Sequence, residues 1–335
     1  MNTQTSSLEL SHFPVMLNEI IKITSPSQGG NFVDCTFGGG GYSRKILKFS
    51  KTKVIAIDRD LAVASIAKNF KKEFQERFEF YHLKFSNLDK ILKNKADVVI
   101  FDLGLSSIQL NNLTRGFSFK SKERLDMTMG LASTSAQDVI NKLSEQDLKL
   151  IIKIFGEEKD AFKIAKNIVK ARSEKKITKV NELVSIIEKS KKKNFASKIN
   201  PSTKTFQALR IFVNKEITEL INGIINATRV LKPGGKILIV SFHSLEDKIV
   251  KYFFTNFSKN KSRPSRYLPE ENIHNTLFEK YVNECIKPSK KEVKNNNPSR
   301  SAKLRFAIRS KNEFIYPKKL IEKFSKYLDL EAINV

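Results

Sequence analysis

The stretch Phe32-Val33-Asp34-Cys35-Thr36-Phe37-Gly38-Gly39-Gly40-Gly41 runs a β-rich apolar segment straight into a glycine cluster, and a helical pattern follows. Glycines at a strand-to-helix turn let the backbone bend sharply and approach a ligand closely. Alone, such a turn is also compatible with an ordinary flexible loop. On either side of it, short β-rich runs alternate with helical patterns, which predicts parallel strands at 31–35, 53–58, 78–83 and 96–103. Helices are expected to begin near Gly41, Leu61 and Asn87 and to cover the sheet.

From 112 to about 205 the chain is polar, helix-patterned and almost free of β-rich runs, which reads as an inserted helical domain. It offers a capped start at Ser144-Glu-Gln-Asp147, a Lys-rich helix over 161–171 and another over 180–192. The α/β order then resumes with one helix over 205–230, a turn at Lys232-Pro-Gly-Gly235, a strand at 236–241 and a helix over 245–257. Basic stretches at 259–266 and 287–300 read as loops, and a late strand at 303–308 is expected to pair with 280–286. The expected division is therefore 1–111 with 206–335 for the sheet domain and 112–205 for the insert.

Charge bounds the partners. The 335 residues carry 61 Lys and Arg against 35 Asp and Glu, a formal net charge of +26, which points to a polyanion such as nucleic acid. A lysine-biased composition accounts for part of the basic runs but not for so large an excess. Cys35 and Cys285 lie far apart without metal-ligand spacing, so neither a disulfide framework nor a metal site is expected. No apolar run has the roughly 20 residues needed to cross a bilayer, and the start lacks signal-peptide character, so a soluble, cytoplasmic protein without a membrane partner is expected.

Three acids sharpen the reading of the turn. Asp58 ends the second expected strand, where an acid accepts hydrogen bonds from ribose hydroxyls, although it also suits a helix cap. Asp34, just ahead of the glycines, would repel a diphosphate but suits the sulfonium and ammonium of S-adenosylmethionine, favouring that cofactor over NAD. Asp102 closes the fourth strand at the sheet's carboxyl edge, where ligands of open α/β sheets bind.

Taken in order, the segments His12-Phe-Pro-Val-Met-Leu-Asn-Glu19, Asp34 to Ser43, Ala56-Ile-Asp-Arg-Asp60, Asp102-Leu-Gly-Leu-Ser-Ser107, Arg115-Gly-Phe-Ser-Phe119, Leu125-Asp-Met127, Thr205 to Ile211 and Ser241-Phe-His-Ser-Leu-Glu-Asp-Lys248 closely resemble the ribosomal RNA small subunit methyltransferase H family. That resemblance covers almost the whole chain. It implies a Rossmann-like class I methyltransferase domain interrupted by a helical insert, and methylation of N4 of a cytidine in 16S rRNA near the decoding site. It further implies cofactor contacts at Gly40, Gly41, Tyr42, Asp58, Phe85, Asp102 and Gln109, and 16S rRNA within the small subunit as partner. A homodimer is kept as an expectation. Position 42 departs from the family, which usually has His there.

An exocyclic amine conjugated to its ring is a weak nucleophile, so the chemistry needs a group that orients it and takes up its charge. Asp102 is the leading catalytic candidate, with His243 and Asp247 after the fifth strand as a second group and Asp126 as a third. Ser244 as a helix cap and His243 as a turn residue remain equally open. Phe117 and Phe119 could stack on an extruded base or anchor the insert. Two other classes share these signals: an RNA-bound assembly factor without activity, and a nicotinamide-dependent oxidoreductase.

Overall fold

The computed structural model describes residues 14–92, 95–191, 200–258, 276–279, 281 and 283–335. Among these, the strands are β1 (Gly30–Asp34), β2 (Thr52–Asp58), β3 (Phe78–His82), β4 (Ala96–Asp102), β5 (Leu231–Ser241) and β6 (Lys303–Ile308). They form one sheet in the order β3-β2-β1-β4-β5-β6, with the first five parallel and β6 returning antiparallel along β5. The order reverses between β1 and β4, which opens a crevice at their carboxyl ends.

Alternation along the strands builds both faces. Phe32, Val54, Val98, Leu238 and Leu304 point to one side, where they meet Ile20 of α1 (Leu17–Thr24), Ile46 of α2 (Gly41–Leu47) and Phe70 of α3 (Ala64–Phe74). Val33, Ile57, Val99, Ile237 and Ala307 point to the other. Between β4 and β5 the chain forms α4 (Ser107–Asn111), α5 (Ala136–Lys142), α6 (Glu145–Phe155), α7 (Ala161–Glu174), α8 (Val180–Ser190), α9 (Thr203–Asn214) and α10 (Glu216–Val230). After β5 come α11 (Ser244–Asn256), α12 (Lys290–Asn295) and α13 (Lys318–Glu331). The apolar cluster on this second face runs without a break from Val99 and Ile224 to Leu148, Ile164 and Leu183, so the inserted helices share the sheet's core.

Several expectations are corrected. The single helix expected over 205–230 is two, because Lys215 adopts a left-handed conformation (φ 50°) between α9 and α10. α9 packs on α6, whereas α10 packs on β5 and on the 3-10 segment Phe85–Lys90, which replaces the α-helix expected from Asn87. In β5, Leu231 pairs with Ala96 and Lys236 with Val98, so the expected turn at 232–235 is a bulge inside a longer strand. The expected loop at 287–300 contains α12, whose Glu292 accepts from the Met16 amide at 2.7 Å. Among described residues, the segment before it touches β6 through isolated bridges, Ile286 with Leu304 and Phe278 with Arg309 beyond the strand's end. Lys280, and the loop expected at 259–266, lie outside the described residues. No helix among the described residues is long and apolar enough to cross a membrane.

Gly223 shows how α10 reaches the sheet. A Cβ there would stand 2.5 Å from the Phe85 ring. Gly223→Ala should gain about 1 kcal/mol of helix propensity and lose about 1–3 kcal/mol to crowding. Thermal unfolding is therefore expected at a lower temperature than wild type; a rise would mean that Phe85 is free to move.

Candidate active site

The glycine turn is shaped by three hydrogen bonds. The Phe37 amide donates to Ile57 O at 3.0 Å, the Gly38 amide to Asp58 Oδ2 at 2.8 Å, and the Gly40 amide to Phe37 O at 2.7 Å. Gly40 has φ 74°, and a Cβ on it would fall 2.5 Å from Phe70, so this glycine serves the turn and the packing beneath it. Gly39 has nothing near its missing Cβ and faces open space.

Asp34, Asp58 and Asp102 end β1, β2 and β4 beside this turn. Asp34 lies beneath it, accepting from Ser43 Oγ at 2.7 Å and the Thr36 amide at 3.3 Å, and burial pushes its pKa up to about 6 despite those bonds. Asp58 also binds the Asp60 amide at 2.8 Å, and burial raises its pKa. Asp102 is the most exposed to consequence. Its Oδ2 accepts from the Tyr42 hydroxyl at 3.2 Å, whereas Oδ1 is buried without a hydrogen-bond partner, and burial pushes its pKa up to about 8.

These elements wall a cavity of about 310 Å³. Gly38, Gly39, Gly41, Tyr42, Asp58, Phe85, Asp102 and Gln109 line it, together with Phe242, Glu216, Glu219 and Glu246. Of its charged walls, Asp58, Asp102, Glu216, Glu219 and Glu246 are acids, and Arg59 is the single base among the described residues. A cavity this acidic inside a chain of net charge +26 disfavours a pyrophosphate and suits a ligand bearing sulfonium and ammonium groups. S-adenosylmethionine therefore fits the acidic lining, and the open space at Gly39 leaves room for it.

The insert's neck is tied to the end of β2. Arg59 donates from Nε to Met129 O at 3.0 Å and from Nη1 to Asn214 O at 2.9 Å. Asp60 accepts from Gln109 Nε2 at 2.8 Å and from Arg115 Nη1, while Arg115 Nη2 holds Thr128 O at 2.8 Å. Residues that follow Asp58 in sequence thus anchor the segment leading into the insert.

A family model described as the MraW methylase family matches residues 9–310. The chain belongs to that family. Proteins named ribosomal RNA small subunit methyltransferase H from Brucella ovis and Brucella suis are each 40% identical to it over 317 residues, covering 93% of this chain and 91% of theirs. A solved rRNA methylase from Streptococcus thermophilus is a looser likeness, with 11% identity, a TM-score of 0.39 and coverage of 87% of this chain and 96% of that one. As an MraW methylase, the protein is an S-adenosylmethionine-dependent methyltransferase with a Rossmann-like fold.

The cavity of this MraW methylase does not gather every residue named from sequence. Gly40 supports the turn from behind the wall. His243 is also behind it: its Nδ1 accepts from the Glu246 amide at 3.4 Å at the start of α11, and its Nε2 lies 3.1 Å from Glu246 Oε1. Asp247 is turned away, held by Arg305 Nε at 2.6 Å and Lys303 Nζ at 3.0 Å, contacts that together outweigh burial and lower its pKa. Asp126 accepts from Thr128 Oγ1 at 3.1 Å in the neck. Phe117 lies under the Arg115 guanidinium and Phe119 is edge-on to Phe206, so both anchor the insert.

Sequence reasoning missed Glu216, Glu219, Phe242 and Glu246 on the wall. Glu219 accepts from the Ser86 amide and hydroxyl, both at 2.9 Å, and Glu216 is paired bidentately with Arg210 at 2.9 Å. Burial opposes the charge on Glu246, but His243, Arg210 and the Phe242 amide outweigh it and hold its pKa low. Glu216, His243 and Glu246 cluster closely enough to hold a metal ion, yet Arg210 already balances that charge. An acid among the buried positions Ile217, Leu220 and Ile221 of α10 is the legible signal for Glu219.

Asp102 yields a test in the cofactor-free protein. Because burial raises its pKa from 3.8 to about 8, the folded state keeps a proton that the unfolded chain releases, so stability falls as pH rises through that window. Asp102→Asn removes this penalty. Its melting temperature should gain on wild type between about pH 5 and about pH 9; a difference independent of pH would mean that burial does not raise the pKa of Asp102.

Proposed function

We propose that the protein methylates N4 of a cytidine in 16S rRNA, near the decoding site of the small ribosomal subunit, in the cytoplasm. The observation that carries this reading is Asp102 Oδ1, a buried acceptor without a donor on the cavity wall. An exocyclic amine supplies the N–H that such an oxygen lacks. The names of the Brucella relatives support ribosomal RNA of the small subunit as the substrate class.

When bound, S-adenosylmethionine supplies the methyl group: the N4–C bond forms as the S–C bond breaks, the electron pair stays on sulfur, and the amine is left with a proton to lose. Asp102 orients the amine and accepts that proton, so the reaction needs its carboxylate form. Asp58, at the other strand end, binds the ribose hydroxyls, and Phe85 lines the adenine side, held edge-on by Phe101 at 5.2 Å.

The base itself must leave its stack to reach the cavity, and Phe242 is the aromatic placed to receive it. Its amide is fixed by Glu246 Oε2 at 2.8 Å, and its ring lies 3.4 Å from where a Cβ on Gly104 would be. The region 112–205 serves as the RNA-binding insert in this reading. It presents Lys153, Lys163, Lys166 and Lys170 to solvent along α6 and α7, with Phe162 54% exposed among them.

The direct test is to incubate the protein with labelled S-adenosylmethionine and unmodified small subunits, then map the product by mass spectrometry. One methyl on a cytidine N4 is expected; a methyl on another atom, or none, overturns the proposal. Phe242→Ala should raise KM for the RNA by about tenfold, the worth of one stacked base, and leave cofactor affinity unchanged. RNA affinity should fall steeply with salt as lysine contacts displace counterions. A flat salt response would remove the insert from the binding surface.

A further inference from the structure

We propose that Tyr42 is a positioning residue for proton transfer, its hydroxyl donating to Asp102 when that acid is ionised and to the Val15 carbonyl when it is protonated. The inference rests on the reading of Asp102 as the acceptor of the substrate amine. It concerns a position where the chain departs from the family it resembles, so a role for histidine does not transfer to it.

The geometry is a fork. Tyr42 is the second residue of α2, its ring buried in the core beneath the glycine turn and its hydroxyl reaching the cavity wall. That hydroxyl lies 2.5 Å from Val15 O and 3.2 Å from Asp102 Oδ2. It has one proton for two acceptors. Among the described residues no other side chain donates to Asp102, and Oδ1 is buried without a hydrogen-bond partner.

Burial, followed by the neighbouring Asp102 carboxyl, pushes the phenol well above its usual pKa. Tyr42 therefore keeps its proton and acts as a donor, not as a base. Among the described residues the charged groups that act on Asp102 are acids: Asp34 at the end of β1, Glu246 on α11 and Glu292 on α12. Each opposes ionisation of Asp102, whereas the Tyr42 phenol favours the carboxylate. Once Oδ1 takes the proton released by the amine, Oδ2 no longer needs a charge-assisted bond, and the nearer Val15 carbonyl recovers the donor. The Val15 carbonyl stays in place because the next amide, Met16, is held by Glu292 at 2.7 Å.

The test is the pH dependence of kcat/KM on unmodified small subunits. Tyr42→Phe removes the hydroxyl and keeps the ring. Its acidic limb should move up by about one pH unit, a loss of about tenfold below the limb that recovers above it. Tyr42→His, which restores a donor, should bring the limb back towards wild type and serves as the second variant should Tyr42→Phe fold poorly. A purely structural role would lower the rate equally at every pH, and that result, or a downward shift, overturns the proposal. Asp102→Asn separates the two layers. If it retains the wild-type limb, Asp102 is not the acceptor and the reading of the function falls as well. If it abolishes the limb or the activity while Tyr42→Phe leaves the limb unmoved, only the assignment to Tyr42 fails.

Discussion

A carboxylate is costly to bury without a donor, and this protein buries several around one cavity because a parallel sheet brings strand ends together. Asp34, Asp58 and Asp102 close β1, β2 and β4, and the reversal of strand order between β1 and β4 leaves space in front of them. The turn at Gly38 uses Asp58 as an acceptor, and Ser43 at the start of α2 quenches Asp34. Only Asp102 is left with an unanswered oxygen. Packing thus selects which of three similar acids keeps an oxygen without a donor.

The same cavity depends on segments far apart in the chain. Glu216 and Glu219 arrive on α10, after the whole insert has been traversed, and α10 is fixed from outside by Glu331 of α13. That carboxylate accepts from the Ile217 amide at 2.9 Å and from the Thr218 amide at 2.8 Å, capping the helix. The neck of the insert is held by Arg59 and Asp60, whose neighbour Asp58 faces the cavity. Since the helices of the insert share the sheet's core, the insert and the cavity wall rest on one continuous apolar cluster.

Much of this was legible before any coordinates. The strands could be read because alternating apolar runs ended on acids, and a buried strand has no packing reason to end on Asp102. The break at Lys215 could not, since the apolar pattern continues across it and lysine gives no sign of a left-handed turn. α12 hid in an Asn- and Lys-rich stretch, where Ser289 caps it and its tie to Met16 is 276 residues away. His243 and Asp247 carried the residue types of a proton relay. Their environments depend on partners that sequence adjacency hides, with Arg305 lying 58 positions beyond Asp247.

Charge is partitioned between inside and outside, and each part has its own work. Lysines on the exterior give long-range attraction to a polyanion, an effect that solvent and salt moderate. The cavity wall carries the opposite bias, five acids to one base among the described residues, which disfavours a phosphate in the interior. Its acids meet the cationic end of the methyl donor, and loss of that positive charge on methyl transfer weakens the attraction between pocket and product. A pocket that disfavours phosphate and loosens on the spent cofactor follows from the acids that line it, before any specific contact is considered.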